Sequence, residues 1–243
     1  MQLRHVPKID ARYWAGITLA FMASTNLGDL YAHRSGLGLI GGLPILAGIF
    51  LFIYAVENFD KSTHDAYYWI CVLTMCIGAT NIADYLSSRH IHPIALCAAL
   101  AGLLAVFAWA AFKLTGQKTR GAKELPETNW PYWLALLSAG VFGTALGDFI
   151  EDSVGGGAAS LGLALILVAT LIFNRGRGVK LVAAYWFIIA VARATGTAVG
   201  DWLAANLGLL LAPLVTTLTF AAVILLWRSR LMEREPPETG QPS

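Results

Sequence analysis

A chain of 243 residues with 57% hydrophobic and only 13% charged residues holds about half the charge of an ordinary soluble domain, where roughly 25% is typical. A net charge of +2 says little by itself, but the apolar residues fall in long blocks separated by short charged strips, which excludes a sizeable soluble domain. What the composition predicts is an all-α membrane protein.

Eight apolar blocks follow in chain order, at about 12–32, 37–56, 66–87, 93–112, 130–150, 157–173, 181–204 and 206–227. Each is close to the ~20 residues of helix that cross a hydrocarbon core of about 30 Å. Residues 1–11 form an N-terminal segment, 113–129 a polar linker between two halves (12–112 and 130–227), and 228–243 a tail expected to be disordered. Of the 17 Lys and Arg residues, only Arg34, Arg89 and Arg193 lie outside the two ends and the strips around 57–66, 113–129 and 174–180. By the positive-inside rule both termini are cytoplasmic. Cys71, Cys76 and Cys97 lie within blocks and show no CxxC spacing, so they read as packing residues. The first block lacks a small-residue cleavage signature and is expected to remain as a helix.

The pair Tyr-Trp occurs at 13–14, 68–69, 132–133 and 185–186, each time followed by threonine eleven residues after the tryptophan (Thr25, Thr80, Thr144, Thr197) and by aspartate four residues later (Asp29, Asp84, Asp148, Asp201). The pattern is Y-W-x10-T-x3-D, repeated four times. Fifteen residues of helix rise about 22 Å, so a tryptophan at the cytoplasmic interface leaves the aspartate near the far end of the same span. Thr and Asp at i and i+4 share a face. The residues before them are small (Ser24, Ala79, Gly143, Gly196; Gly28, Ala83, Gly147, Gly200), a stripe that lets helices approach closely. The Asp-Thr face is therefore expected to look inward. Two spans per repeat return the chain to its starting side, which sets the four motif helices parallel and the four aspartates at one depth.

This chain resembles a family of bacterial integral membrane proteins built from four tandem two-span repeats, each with a characteristic tryptophan and catalogued as a repeat of unknown function. The resemblance covers about 12–227 and implies eight spans in a bacterial inner membrane; it implies no activity.

Intramembrane carboxylates are costly and point to function. Four carboxylates with four threonine hydroxyls make an oxygen-rich set suited to a bound divalent cation such as Mg²⁺, Ca²⁺ or Mn²⁺, and acids that repel one another invite exchange of protons for the cation. The expected function is transport of a small cation, divalent and proton-coupled, with the lipid bilayer, cation and protons as partners. Asp29, Asp84, Asp148, Asp201, Thr25, Thr80, Thr144 and Thr197 would be its ligands. Arg193, where the other repeats hold Phe21, Cys76 and Gly140, is expected to pair with a carboxylate or to gate. His33, His90, His92, Glu151 and Asp152 in the outer turns form a candidate vestibule, or else a solvated rim. Two rivals stand beside this reading. In a scaffold or sensor the aspartates would cap the following helices and each threonine would bond its i−4 carbonyl; in a membrane enzyme one aspartate would act on a lipid. No Walker loop, G-x-S-x-G, H-E-x-x-H or dinucleotide fingerprint is present, so neither enzyme chemistry nor a cofactor is expected, and the short basic strips do not suit nucleic acid.

Overall fold

A computed structural model of the chain describes residues 3, 6–57, 59–60, 65–114, 125–174 and 182–232. Most of the linker expected at 113–129 and most of the tail at 228–243 lie outside the described residues. The described residues form helices without strands: α1 (Ala11–Arg34), α2 (Gly38–Gly41), α3 (Leu43–Glu57), α4 (Ala66–Ser87), α5 (Pro93–Leu114), α6 (Trp130–Val154), α7 (Gly156–Asn174), α8 (Val182–Leu207) and α9 (Leu211–Met232).

Polar side chains start the motif helices. Asp10 and Asn129 accept from the backbone N–H of Tyr13 and Tyr132, satisfying donors that a first turn leaves free. Asp65, in the corresponding place before α4, accepts from Trp69 Nε1 at 3.1 Å. The second apolar block is broken at Gly42 into α2 and α3, where the Tyr31 hydroxyl donates to the Gly42 carbonyl at 3.1 Å.

Six segments are long and apolar enough to cross a membrane: Gly38–Glu57, Ala66–Ser87, Pro93–Leu114, Trp130–Val154, Gly156–Asn174 and Ala183–Leu207. Helix α1 is not among them, because Thr18, Ser24, Thr25, Asn26 and Asp29 dilute its apolar residues. In α9 the apolar part, Leu211–Leu226, is shorter. These six identify a multi-pass membrane protein.

Helices α1, α4, α6 and α8 pack side by side in that order, and α8 returns to α1, closing an inner ring. Each outer helix lies mainly on the inner helix that follows it: α3 on α4, α5 on α6, α7 on α8, and α9 on α1. Burial divides the two sets. Between 61% and 72% of the apolar window is buried in α4, α6 and α8, against 17–22% in Gly38–Glu57, α5 and α7. The outer helices show their apolar faces to the surroundings, as lipid-facing helices should.

Glycines set the closeness of the inner ring. At Gly196 of α8 an added Cβ would lie 2.6 Å from Phe21 Cβ and 3.1 Å from the Met22 nitrogen, so the α1 and α8 backbones meet there. Gly147 of α6 lies as close to Thr197 and to the Ala194 carbonyl. The predicted small-residue stripe is thus the helix contact itself.

Candidate functional site

Three layers of repeated side chains cross the inner ring. At the first turn of the inner helices the hydroxyls of Tyr13, Tyr68, Tyr132 and Tyr185 join in a closed circuit: Tyr13–Tyr68 3.1 Å, Tyr68–Tyr132 2.8 Å, Tyr132–Tyr185 3.0 Å and Tyr185–Tyr13 2.7 Å. All four are buried. A phenol is both donor and acceptor, so each hydroxyl gives one bond and takes one. One turn further, Ile17, Val72, Leu136 and Ile189 are all fully buried and form an apolar layer. Of the motif tryptophans, Trp69, Trp133 and Trp186 are buried between helices and Trp14 is half-buried.

The second polar layer is built around Arg193, which is 0% exposed. Its Nε donates to Thr144 Oγ1 at 3.1 Å and to the Gly140 carbonyl at 3.3 Å. Nη1 donates to Ser24 Oγ at 2.7 Å and the Phe21 carbonyl at 3.1 Å. Nη2 donates to Thr80 Oγ1 at 2.6 Å, Thr144 Oγ1 at 2.8 Å and the Cys76 carbonyl at 3.5 Å. One side chain from α8 therefore ties together α1, α4 and α6. Each hydroxyl also donates to a carbonyl of its own helix: Ser24 to Phe21, Thr80 to Cys76 and Thr144 to Gly140. Thr197 meets Thr144 at 3.4 Å and Thr25 at 3.5 Å.

This arrangement corrects the pairing expected for Arg193. Its partners are hydroxyls and carbonyls, and no carboxylate is among them. The i−4 bonds foreseen for the threonines are made by Thr80 and Thr144, whose remaining lone pairs face a guanidinium. The planar fork of five N–H donors suits a cage of several acceptors, where an ammonium would reach fewer.

The third layer holds Asp29, Asp84, Asp148 and Asp201, one turn beyond the threonines and half-buried. The charge of each acts on the other three, and Arg193 lies within the same field. Among the described residues none of the four carboxylates accepts a hydrogen bond. They do not cap the next helix: the first residue before α2, Leu37, makes no side-chain cap, and the turn after α6 ends on Gly155. Among the described residues no hydrogen bond to these carboxylates shows the turn-building role weighed from the sequence.

The vestibule residues separate into two groups. His33 lies within the field of Asp29 and Asp84, with its Nδ1 2.8 Å from the Asp29 carbonyl, and Glu151 acts on Asp148 and Asp201. His90, His92 and Asp152 are exposed, as is His33, whereas Glu151 is half-buried. Among the described residues no three His, Cys, Asp or Glu side chains are placed to hold a metal ion together.

Several participants escaped the sequence reading. The tyrosines were legible as repeated residues, and Ser24 only as a small one. Asn26 and Asn81 follow the threonine in repeats 1 and 2, where repeats 3 and 4 carry Ala145 and Ala198. Both are buried; among the described residues Asn26 Oδ1 and both polar atoms of Asn81 have no hydrogen-bond partner. The Thr-Asn against Thr-Ala difference was the available signal.

No curated protein and no solved structure matches this chain. Residues 184–231, which take in most of α8 and nearly all of α9, match the family model described as Repeat of Unknown Function (DUF347), so this part of the chain carries that family's repeat.

Proposed function

We propose that the protein crosses a bacterial inner membrane eight times with both termini cytoplasmic, and that it carries a small cation in exchange for protons. The observation behind this reading is the acidic layer: four carboxylates sharing one field without a protein donor among the described residues. Carboxylates held in this way need a cation or protons to offset their repulsion. Among the described residues no three of them are placed to hold a metal ion together, which suits a cation that keeps part of its water shell, as Mg²⁺ does. In this reading the acids bind the ion, Thr80 and Thr144 act through Arg193, and the protein is not an enzyme.

Arg193 supplies a fixed positive charge beneath the acids, and with the tyrosine circuit it seals the centre of the ring. That closure favours alternating access over an open pore, since an ion passing along the ring would have to displace a guanidinium held by three hydroxyls. It also favours a second reading, a cation sensor that binds without transport.

The test is proton release from the purified protein in detergent on adding Mn²⁺, Mg²⁺, Ca²⁺ or Zn²⁺, beside a variant with all four aspartates changed to asparagine. Saturable release by one ion, absent from a folded variant, is the expected result. Flux of that ion in proteoliposomes then separates transporter from sensor. No release from any of the four ions would remove the proton-exchanging divalent site.

A further inference from the structure

The segment before α1 lies over the tyrosine end of the inner ring. The hydroxyl of Thr128, just before α6, accepts from the Leu3 N–H at 3.0 Å and donates to the Leu3 carbonyl at 3.5 Å. Helices α1 and α6 stand at opposite corners of the ring: each packs on α4 and α8, and neither packs on the other. From Leu3 to the Asp10 cap of α1 an extended chain reaches up to about 23 Å, enough for the diagonal of about 11–14 Å across four helices packed roughly 8–10 Å apart. The direct path therefore runs over the mouth of the ring. Burial agrees with it. Leu3, Pro7 and Ile9 are buried and Val6 is half-buried, whereas Lys8 and Asp10 are exposed. Leu3, Val6 and Ile9 pack in the same apolar cluster as the four tyrosines.

Thr128 also connects this strap to the circuit beneath it. Its carbonyl accepts from Trp133 Nε1 and from the Tyr54 hydroxyl, both at 3.2 Å. The Trp133 ring in turn lies against Tyr132 and Tyr68, with centroids 5.3 and 6.0 Å apart. One residue thus holds the strap by its side chain and a wall of the circuit by its backbone. Leu3 and residues 6–8 are neither helix nor strand, so the strap can leave without breaking a helical ladder. Local openings of this kind lie well below global unfolding in free energy.

Alternating access requires the tyrosine end to open at one point of the cycle, and the strap lies across that exit. We infer that the strap of Leu3 and residues 6–10 is the gate of the tyrosine end, latched through the Thr128 hydroxyl. Seated, it presses on the closed circuit; released, it frees Thr128 and Trp133 and lets the circuit part. What passes the gate rests on the carrier reading, but the gate's own motion can be read without any ion.

Hydrogen exchange of the full chain in detergent, followed by mass spectrometry, tests this. Thr128→Val removes the latch hydroxyl and keeps both carbonyl bonds, and Thr128→Ser keeps the hydroxyl as well. In Thr128→Val the strap and the tyrosine turns of α4 and α6 should exchange up to about tenfold faster, with the aspartate end of the ring unchanged and Thr128→Ser matching wild type. Faster exchange of the strap alone would make it a mere tether and overturn the gate, as would no change in a folded Thr128→Val. Leu3→Cys with Thr128→Cys, in a Cys97→Ala background, gives the reverse comparison: oxidised to a disulfide, the tyrosine turns should exchange more slowly than when reduced. In proteoliposomes the oxidised pair should stop the cation flux seen in wild type, and reduction should restore it; equal flux in both states would overturn the gate. Absence of flux from wild type itself would remove the carrier reading instead, and the exchange rates would still decide the gate.

Discussion

The two ends of the inner ring place the same fourfold problem before two different functional groups. At one end four tyrosines satisfy one another completely, because a hydroxyl gives and takes a bond and a circuit of four closes without help. At the other end four carboxylates accept but do not donate, so repetition multiplies the deficit. A repeated donor-acceptor builds a fastening, and a repeated acceptor builds a demand for something from outside. Arg193 stands between the two. By breaking the symmetry in one repeat, it introduces donors where the fourfold pattern supplies only oxygens.

The largest expected effect on this contrast comes from Arg193→Met. It strips donors from Ser24, Thr80 and Thr144 and removes the positive charge beneath the acids; hydrogen bonds to a charged group are worth about 1.5–3 kcal/mol each, and thermal melting in detergent should show a loss above about 3 kcal/mol. A variant that melts like wild type would show the guanidinium to be incidental to the ring. Next is Gly196→Ala, whose new methyl meets the α1 backbone and should cost about 1–3 kcal/mol. Its control is Gly102→Ala in α5, where nothing lies within 4 Å; that change should be neutral or stabilising by up to about 1 kcal/mol.

Tyr68→Phe opens the hydroxyl circuit and should cost about 1–2 kcal/mol for two lost bonds. Adding Tyr185→Phe, at the opposite corner, should cost other than the sum of the single changes, as members of one network do. The smallest effect belongs to Asp84→Asn. No hydrogen bond is lost there, so stability should change by less than about 0.5 kcal/mol while cation-induced proton release falls. If Asp84→Asn lowered the melting temperature as much as Tyr68→Phe, the acids would be part of the fastening and the contrast between the ends would collapse.

The helices and the depth of the motif were readable because both rest on local periodicity: four copies of Y-W-x10-T-x3-D put threonine and aspartate on one face whatever the surroundings. The described helices stand close to the predicted blocks, from α4 at Ala66–Ser87 to α8 at Val182–Leu207. Lateral order was not readable. That α9 closes on α1, and that each outer helix leans on the next repeat, follow from side-chain fit between segments far apart in sequence. Arg193 shows the consequence: its cost in a membrane was foreseen, but its acceptors come from three other helices, three of them the carbonyls of Phe21, Cys76 and Gly140 that no side-chain pattern announces. The tyrosine circuit was missed because the Tyr-Trp pair drew attention to the ring that favours interfaces. The hydroxyl beside it made the contacts.

The joint between α9 and α1 has a consequence for biosynthesis. Arg12 Nη2 donates to the Ile224 carbonyl at 3.2 Å, and Gly16 gives room to the Ile224 side chain, so α1 waits for α9. Until α8 and α9 emerge, Tyr13, Ser24 and Asn26 on α1 lack their final surroundings, a delay of about 200 residues, or roughly 10–40 s at bacterial elongation rates of ~5–20 residues per second. A nascent ring with an open side exposes polar groups to lipid throughout that interval. Its yield in the cell should depend on whatever shelters α1 during synthesis as much as on the stability of the finished ring.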